Sequence, residues 1–209
     1  MSHFDSVVAI RYSAGRALAR FRVRYFFDFS FVHINKTGGS SIEKALGLPF
    51  QHLTALELRS LIGAERWARR FSFGFVRNPW DKVVSHYHYR VRTNQTDLGS
   101  VPIPFDDWVM RAYGERDPRY HDQPKMFQPQ HEWLEDLDGT RLVDYVGRFE
   151  RLHEDFTTVC DRIGVEATLP HLKRSAHPDY RDIYREDSRE VVARVFGGDL
   201  ERYGYTFDG

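Results

Sequence analysis

Short apolar runs alternate along the chain with segments of helical periodicity. Residues 25–34, 71–76 and 142–149 are rich in Phe, Val, Ile or Leu and are predicted to form buried strands. A helix-like segment follows each of them. Strands that alternate with helices predict one α/β domain, residues 1–209, with a mainly parallel sheet flanked by helices.

The helix-like segments place apolar residues on one stripe and carry capping signals. Asn78 is a candidate cap, with Pro79 at the first helical position and Asp81 at the third, a variant of the capping box. The predicted helices cover residues 41–46, 53–69, 79–91, 105–113, 150–163 up to Gly164, and 187–196 closed by Gly197 and Gly198.

Residues 1–24 spread arginines among apolar positions and lack the uninterrupted apolar core of a signal peptide. We interpret them as a basic amphipathic helix that packs on the domain; a helix lying on a membrane surface is the alternative. No run approaches the length of a membrane span. We therefore expect a soluble, cytoplasmic protein.

Residues 92–130 interrupt the alternation with five prolines among polar and aromatic side chains. Irregular segments of this length are uncommon in compact domains and suggest function. Aromatic and hydrogen-bonding side chains suit a sugar or another polyhydroxyl acceptor, which predicts an acceptor-binding insertion. A solvated loop with its own small core is the alternative. The side chains concerned are Arg92, Trp108, Arg111, Arg116, Arg119, Tyr120, His121, Lys125, Gln128 and Gln130.

Composition excludes several classes of protein. Of the 209 residues, 41% are hydrophobic and 29% charged, which argues against global disorder. Thirty basic residues balance thirty acidic ones, so the overall charge gives no sign of a nucleic-acid partner. The single cysteine, Cys160, excludes an intramolecular disulfide and a multi-cysteine metal site, and it fits a reducing compartment.

The first chemical signal is the segment Asn35-Lys36-Thr37-Gly38-Gly39-Ser40-Ser41, between a predicted strand and a predicted helix. Glycines let the backbone approach a ligand, and the amide groups that open a helix favour an anion. Lys36 adds a positive charge, and the hydroxyl side chains add donors. This pattern predicts a cradle for a phosphate-like group; a tight turn with a surface lysine is the alternative.

The order of residues separates this cradle from that of nucleotide triphosphatases. Their loop is GxxxxGK[ST], in which the lysine follows the glycines and a hydroxyl binds magnesium. Here Lys36 precedes the glycines, and GK[ST] is absent from the chain. A phosphoryl transfer driven by ATP or GTP is therefore not the direct interpretation.

The second signal is the segment from Phe75 to Ser85, with the sequence FVRNPWDKVVS. Arg77 follows a predicted strand, at the edge where α/β proteins bind ligands. Its forked donors and the Ser85 hydroxyl predict a second anion subsite, separate from the first. The alternative is an arginine that caps the sheet edge beside a helix-surface serine. Trp80 is predicted to be a core residue.

Together the KTGGSS and VRNPWDKVVS segments resemble the two donor-binding signatures of sulfotransferases that use 3′-phosphoadenosine 5′-phosphosulfate (PAPS). The similarity is to the carbohydrate branch, the heparan, chondroitin and dermatan enzymes and their soluble bacterial relatives. This resemblance implies a P-loop-like fold and sulfuryl transfer from PAPS to a hydroxyl group, with a carbohydrate as the expected acceptor. It also implies that Lys36, Thr37, Gly38, Gly39, Ser40 and Ser41 hold the 5′-phosphosulfate, while Arg77 and Ser85 hold the 3′-phosphate.

The resemblance extends over about residues 29–207. It includes Gly147-Arg148-Phe149-Glu150 with Leu152, Asp155 and Phe156, then Leu169-Pro170-His171-Leu172, Ser175, Tyr180, Tyr184 and Tyr203-Gly204-Tyr205. Two positions depart from the family pattern. Asn35 replaces a frequent proline, and a turn tolerates asparagine at such a position. Lys173 stands where asparagine is expected, so its contact to the nucleotide does not follow from the resemblance. The role of Arg174 does not follow either.

The reaction needs a base for the acceptor hydroxyl and a cation for the leaving phosphate. Lys36 suits the second role. His52 falls in the interval where related carbohydrate sulfotransferases place a catalytic histidine, so the resemblance favours it as the base; a structural histidine is the alternative. Glu43 and Glu150 are the next candidates, and His33 is interpreted as structural.

The ten histidines do not predict a metal site. The HExxH motif is absent, and His86 and His88 face different directions on a helix. Sulfuryl transfer from PAPS needs no metal. Two rival functions remain at this level, a nucleotide or small-molecule kinase of related topology and a catalytically silent nucleotide-binding module. The acceptor and the oligomeric state do not follow from the sequence.

Overall fold

A three-stranded parallel sheet organises the part of the chain that the computed structural model describes, residues 15, 17–170 and 178–209. The strands β1 (Phe29–Val32), β2 (Phe71–Val76) and β3 (Tyr145–Arg148) lie in that order. Phe29 pairs with Phe71, and Val76 pairs with Arg148. Because all strands run the same way, their carboxyl ends meet at one edge, where α/β proteins place their sites.

Helices connect the strands and cover the sheet. They are α1 (Gly39–Ala45), α2 (Ala55–Ile62), α3 (Ala64–Ala68), α4 (Pro79–Arg92), α5 (Phe105–Val109), α6 (His131–Leu134), α7 (Leu152–Ile163), α8 (Glu186–Val195) and α9 (Gly197–Tyr203). Shorter helical turns occupy Gln95–Asp97, Met110–Gly114, Pro124–Phe127, Phe149–Arg151 and Tyr180–Asp182, and residues 17–25 are helical. Within the described ranges, no helix has the length and apolarity needed to span a membrane.

The two faces of the sheet carry different side chains, as the alternation along a strand requires. One face is aromatic: Phe31 and Phe73 stack with their ring centroids 5.1 Å apart and pack with Phe156 of α7. The other face is aliphatic and packs Val32 and Val76 against α2, α3 and α6. The sheet is thus buried between two helical layers.

A third core lies beside the sheet, between α4, α5 and α8. It buries Trp80, as expected, and also Trp108, Tyr120 and Phe127 from the 92–130 segment. The buried aromatic residues of this segment therefore belong to a core shared with α4 and α8, and the expected role of the segment in acceptor binding stays a prediction. Trp108 and Tyr120 are buried and are not platforms for a sugar.

The strand β2 and the helix α4 lie where the sequence predicts them, and β1 and β3 are shorter than predicted. The helix expected over residues 53–69 is two helices, because Gly63 has a φ of 94° between them. Gly197 does not close a helix; it opens α9. Asn78 caps α4 by accepting from the Trp80 amide, whereas Asp81 binds Arg77 and does not complete a capping box.

Some predictions fall on residues that the structure does not describe. Most of the predicted basic helix lies at residues 1–14 and 16, outside the described ranges. The same holds for the family-like residues His171, Leu172 and Ser175, and for Lys173 and Arg174.

Truncating the central aromatic of the sheet should destabilise the fold strongly. Phe73 is fully buried on β2, so Phe73→Ala is expected to cost about 3–5 kcal/mol of unfolding free energy, in part through the cavity it leaves. Leu137, which is 93% exposed, is the matched control, and Leu137→Ala should be close to neutral. Denaturant unfolding of both variants checks this, and equal losses would contradict the assigned core.

Candidate active site

The segments that follow the three strands converge at the carboxyl edge of the sheet. His33 and the KTGG loop follow β1, Arg77 follows β2, and Phe149 follows β3. The guanidinium of Arg77 lies over the Phe149 ring, 4.0 Å from its centroid, and Nη1 of Arg77 donates to the Lys36 carbonyl at 3.0 Å. The structure thus joins the two predicted subsites, which the sequence analysis treated as separate.

The loop before α1 adopts an unusual backbone conformation. Lys36 has a φ of 67°, in the left-handed region of backbone conformation that residues other than glycine rarely adopt. Gly38 has a φ of 84° and forms the cap of α1. The positive φ at Gly38 favours glycine, and a β-carbon there would also force the end of the Leu152 side chain, 2.9 Å away, to shift.

Gly39 is required for a different reason, the close approach of an imidazole. A β-carbon built on Gly39 would lie 2.0 Å from the His33 ring. The His33 side chain is buried, and its Nδ1 lies 2.9 Å from Oε1 of Glu43, although the N–H is not directed for a good hydrogen bond. His33 therefore packs beneath the loop, in agreement with its interpretation from the sequence as a structural residue.

The hydroxyl residues of the first motif differ in their surroundings. Thr37 is fully buried, and its hydroxyl donates to the Ile34 carbonyl at 2.9 Å, so this side chain closes the turn. Ser40 is exposed at the start of α1. The Ser41 hydroxyl is buried and has no hydrogen-bond partner among the described residues. An orphaned donor of this kind fits a site for a polar ligand.

The Arg77 side chain is almost fully buried, with 5% of the residue's surface exposed, and several partners hold its guanidinium. Its Nε donates to Asp81 of α4 at 2.8 Å. Asp81, Ser85 and Tyr89 are spaced by four residues and share one face of α4. The Tyr89 ring centroid lies 4.2 Å from the Lys36 ammonium. This face of α4 therefore carries Asp81, which binds Arg77, and Tyr89, which contacts Lys36. The buried Ser85 lies between them.

The backbone around Arg77 is held from two sides by side chains. Oε1 of Gln130 accepts from the Arg77 amide at 2.9 Å, and Nε2 of Gln130 donates to the Arg77 carbonyl at 2.8 Å. Oε1 of Glu150 accepts from the Asn78 amide at 2.7 Å, and Oε2 of Glu150 accepts from the Tyr205 hydroxyl at 3.0 Å. Glu150, a fallback candidate for the base, therefore has a structural role.

His52 lies beside the loop in a partly buried position. Its Nδ1 is 2.9 Å from the His33 carbonyl, and its ring centroid is 4.2 Å from that of His33. A carbonyl only accepts hydrogen bonds, so Nδ1 carries the proton in the neutral ring and Nε2 keeps its lone pair. His52 is thus in the tautomer that can accept a proton at Nε2.

Glu43, the other fallback base, is buried and engaged. Its Oε1 accepts from the Gln51 amide at 3.0 Å and contacts His33, while its Oε2 has no hydrogen-bond partner among the described residues. Glu43 holds the segment leading to His52 against α1. This arrangement favours a supporting role for Glu43 in placing His52.

The site concentrates positive charge. Burial, and then Arg92 and Arg77, lower the pKa of Lys36 to about 8. Burial, Arg77 and Lys36 lower the pKa of Lys82 to about 8 against the opposing effect of Asp199. Burial, and then His33, Lys125 and Lys36, lower the pKa of His52 to about 4, although its bond to the His33 backbone opposes the shift. Cations that destabilise one another favour an anionic ligand.

The 92–130 segment reaches this site through its last part. The side-chain amide of Asn35 donates through Nδ2 to the Met126 carbonyl at 3.0 Å. The Lys125 ammonium donates to the His52 carbonyl at 2.9 Å. Lys125 also pairs with Glu57 of α2. Asn35, which stands in place of a proline, therefore ties the KTGG loop to the 92–130 segment.

Three residues have roles here that were not predicted from the sequence: Tyr89, Gln130, and Asp199, whose Oδ2 accepts from the Gln130 amide. Tyr89 could have been found from its spacing of four residues from Ser85 on a predicted helix. Gln130 and Asp199 carry no local signal, because their partners are distant in the sequence. Among the described residues, no group of three or more His, Cys, Asp or Glu side chains could hold a metal ion.

Comparisons with known proteins connect this site to a family. The model of the sulfotransferase family matches residues 19–206. An uncharacterised protein from Archaeoglobus fulgidus is 28% identical over 133 residues, which are 63% of this chain and 99% of that protein. A sulfotransferase structure from Alicyclobacillus acidocaldarius aligns with 86% of this chain and 99% of its own at 17% identity and a TM-score of 0.41. Because the family match spans nearly the whole chain, including the KTGGSS and VRNPWDKVVS segments, the chain belongs to the sulfotransferase family.

Proposed function

We propose that the protein transfers the sulfuryl group of PAPS to a hydroxyl group of a carbohydrate. The observation that carries this proposal is the junction of Lys36 and Arg77 at the carboxyl edge of the sheet, in a member of the sulfotransferase family. PAPS carries a phosphosulfate and a separate 3′-phosphate, so it matches two adjoining cationic groups. The family match supports sulfuryl transfer, and the charge pattern supports this donor.

The residues around the loop fit the donor chemically. The side-chain-free glycines leave room for the backbone to approach the 5′-phosphosulfate, and the Ser41 hydroxyl has hydrogen-bonding capacity to spare. The described structure gives Lys36 an aromatic neighbour and no carboxylate within 4 Å, so its charge is available to a ligand. Arg77 and Ser85 would hold the 3′-phosphate.

The transfer itself needs three changes. The acceptor oxygen forms a bond to sulfur as the bond between sulfur and the bridging phosphate oxygen breaks. The acceptor proton passes to Nε2 of His52, and the leaving product is adenosine 3′,5′-bisphosphate (PAP). Lys36 stabilises the negative charge that grows on the leaving phosphate, and such help counts most when it acts in the transition state.

Donor binding should strengthen His52 as a base. The positive charge of Lys36 is one cause of the low pKa of His52. An anionic donor beside Lys36 offsets that charge, so the pKa of His52 rises when PAPS binds. The proton acceptor thus becomes more basic only when the sulfuryl donor is present.

The acceptor is proposed to bind against residues 92–130. Asn35 and Lys125 join this segment to the donor loop and to His52, so an acceptor held there would lie beside both. Its exposed or half-buried hydrogen-bonding side chains, Arg92, Arg111, Arg116, Arg119, His121 and Gln128, suit a polyhydroxyl ligand. Transfer of labelled sulfate from PAPS across a panel of glycans and small alcohols tests the acceptor class.

The 3′-phosphate should contribute strongly to donor affinity. Losing its charge-assisted contact with Arg77 is expected to cost about 1.5–3 kcal/mol, or roughly tenfold to more than a hundredfold in Kd. Isothermal titration with PAPS and with adenosine 5′-phosphosulfate, which lacks the 3′-phosphate, measures the difference in Kd. The variant Ser85→Ala should have a smaller difference in Kd between the two ligands. Equal affinities would contradict the role of Arg77, and tighter binding of ATP with magnesium would favour a kinase.

Lys36 should act on the rate more than on binding. Lys36→Ala is expected to lower kcat by about 10²–10³ and to change the Kd of PAP much less. Since the pKa of Lys36 is about 8, kcat/KM for the donor should fall above that pH.

Lys36→Arg is the matched control for this prediction. Arginine keeps its charge at all accessible pH values, so the alkaline fall should move upward or disappear in this variant. An unchanged kcat in Lys36→Ala, combined with weaker nucleotide binding, would show that Lys36 contributes to binding and not to the rate of transfer.

His52 should show its low pKa in the pH dependence of the reaction. A histidine of ordinary pKa loses about tenfold of its base form between pH 7 and 5.5. With a pKa of about 4, His52 stays neutral, so kcat/KM for the donor should change less than about twofold over that range. His52→Ala should lose about 10²–10⁴ in kcat and still bind PAP.

Stability must be followed in the same experiment. Because folding lowers the pKa of His52, the unfolded chain binds more protons between about pH 4 and 6.5, and His52 therefore reduces stability as the pH falls through that window. Melting temperatures at each pH separate this effect from catalysis. A folded His52→Ala variant with normal turnover would place the base elsewhere, with Glu43 the next residue to change.

A further inference from the structure

Asp199 is a buried carboxylate whose oxygens are fully occupied by hydrogen bonds. It lies in the first turn of α9 and is completely inaccessible to solvent. Its Oδ2 accepts from the Gln130 amide at 2.8 Å and from Gln130 Nε2 at 3.2 Å. Its Oδ1 accepts from the amide and the Nδ1 of His131, each at 2.8 Å.

Gln130 connects this carboxylate to the anion-binding edge. Its own side chain is fully buried, and its two polar atoms bind the amide and the carbonyl of Arg77. Nε2 of Gln130 has two hydrogens, one for the Arg77 carbonyl and one for Asp199. Asp199 therefore fixes which end of the Gln130 amide faces which backbone group of Arg77.

Both groups would be costly to bury without this arrangement. A buried amide or carboxylate destabilises the fold unless its hydrogen-bonding capacity is used. The bonds of the pair end on the main chain of Arg77, the residue whose guanidinium bridges Asp81 and the Lys36 carbonyl. A small rotation of that main chain would move the guanidinium, since the side chain is anchored at its base.

We infer that Gln130 and Asp199 are positioning residues that hold Arg77 in the orientation needed to recognise the 3′-phosphate of the donor. This inference rests on the proposed function and deepens it. Neither residue would contact the nucleotide itself. They act through the main chain of Arg77, so their loss should change discrimination between nucleotides more than overall nucleotide affinity.

The test compares two nucleotides that differ only in the 3′-phosphate. Isothermal titration gives the Kd of adenosine 5′-monophosphate (AMP) divided by that of PAP. In the unaltered chain we expect this ratio to be about ten to more than one hundred. Gln130→Met keeps the volume and removes the bonds to Arg77, so the ratio should fall by about tenfold or approach one, with the Kd of AMP changed less than about threefold.

Ser188→Ala is the matched control. Ser188 is also fully buried, and its hydroxyl binds Asp106 and the Arg185 carbonyl, away from Arg77. Its loss should lower the melting temperature and leave the ratio unchanged. Asp199→Asn is the second variant: it keeps the shape of the side chain and places an amide against donors, so it should lower the ratio by loosening Gln130. It carries the test alone if Gln130→Met does not fold.

The outcomes separate the two claims. A ratio near one in the unaltered chain overturns the proposed recognition of the 3′-phosphate and this inference with it. A high ratio in the unaltered chain that persists in Gln130→Met and Asp199→Asn overturns the inference alone. A ratio that falls equally in Ser188→Ala also overturns it, because general destabilisation would then explain the change.

Discussion

The site depends on the contact between the backbone of Gly39 and the imidazole of His33. The ring lies so close that no side chain fits between them, which sets the distance between the end of β1 and the start of α1. The same histidine provides the carbonyl that receives Nδ1 of His52. Through its ring and its carbonyl, His33 therefore both shapes the KTGG loop and determines the tautomer of the proposed base.

The electrostatic arrangement has an energetic cost that a ligand would recover. Lys36 and Lys82 both have lowered pKa values because they are buried near other cations. A sequence selected for stability alone would pair these charges with carboxylates. Functional sites commonly keep such local conflicts, which the rest of the fold must offset. Here the buried apolar residues lie in three clusters, two on the faces of the sheet and one beside it.

Local signals predicted the elements whose partners are near in sequence. The strand β2 and the capped helix α4 were predicted well, because a buried run followed by Asn78 and Pro79 is distinctive. The motifs around Lys36 and Arg77 were also visible as residue types. The break at Gly63 and the start of α9 at Gly197 were not, since glycine occurs both within turns and at the first position of helices.

The arrangement of the site could be predicted only in part. Lys36 and Arg77 lie together at the carboxyl edge of the sheet because they follow β1 and β2, which are neighbouring parallel strands. The Gln130–Arg77 bonds and the burial of Trp108 depend on how the 92–130 segment packs, and no local pattern determines that. The hydrogen bond from Asn78 to the Thr206 carbonyl spans 128 residues. During synthesis at about 5–20 residues per second, roughly 6–26 s separate these two residues, so this bond forms only after all three strands have been made.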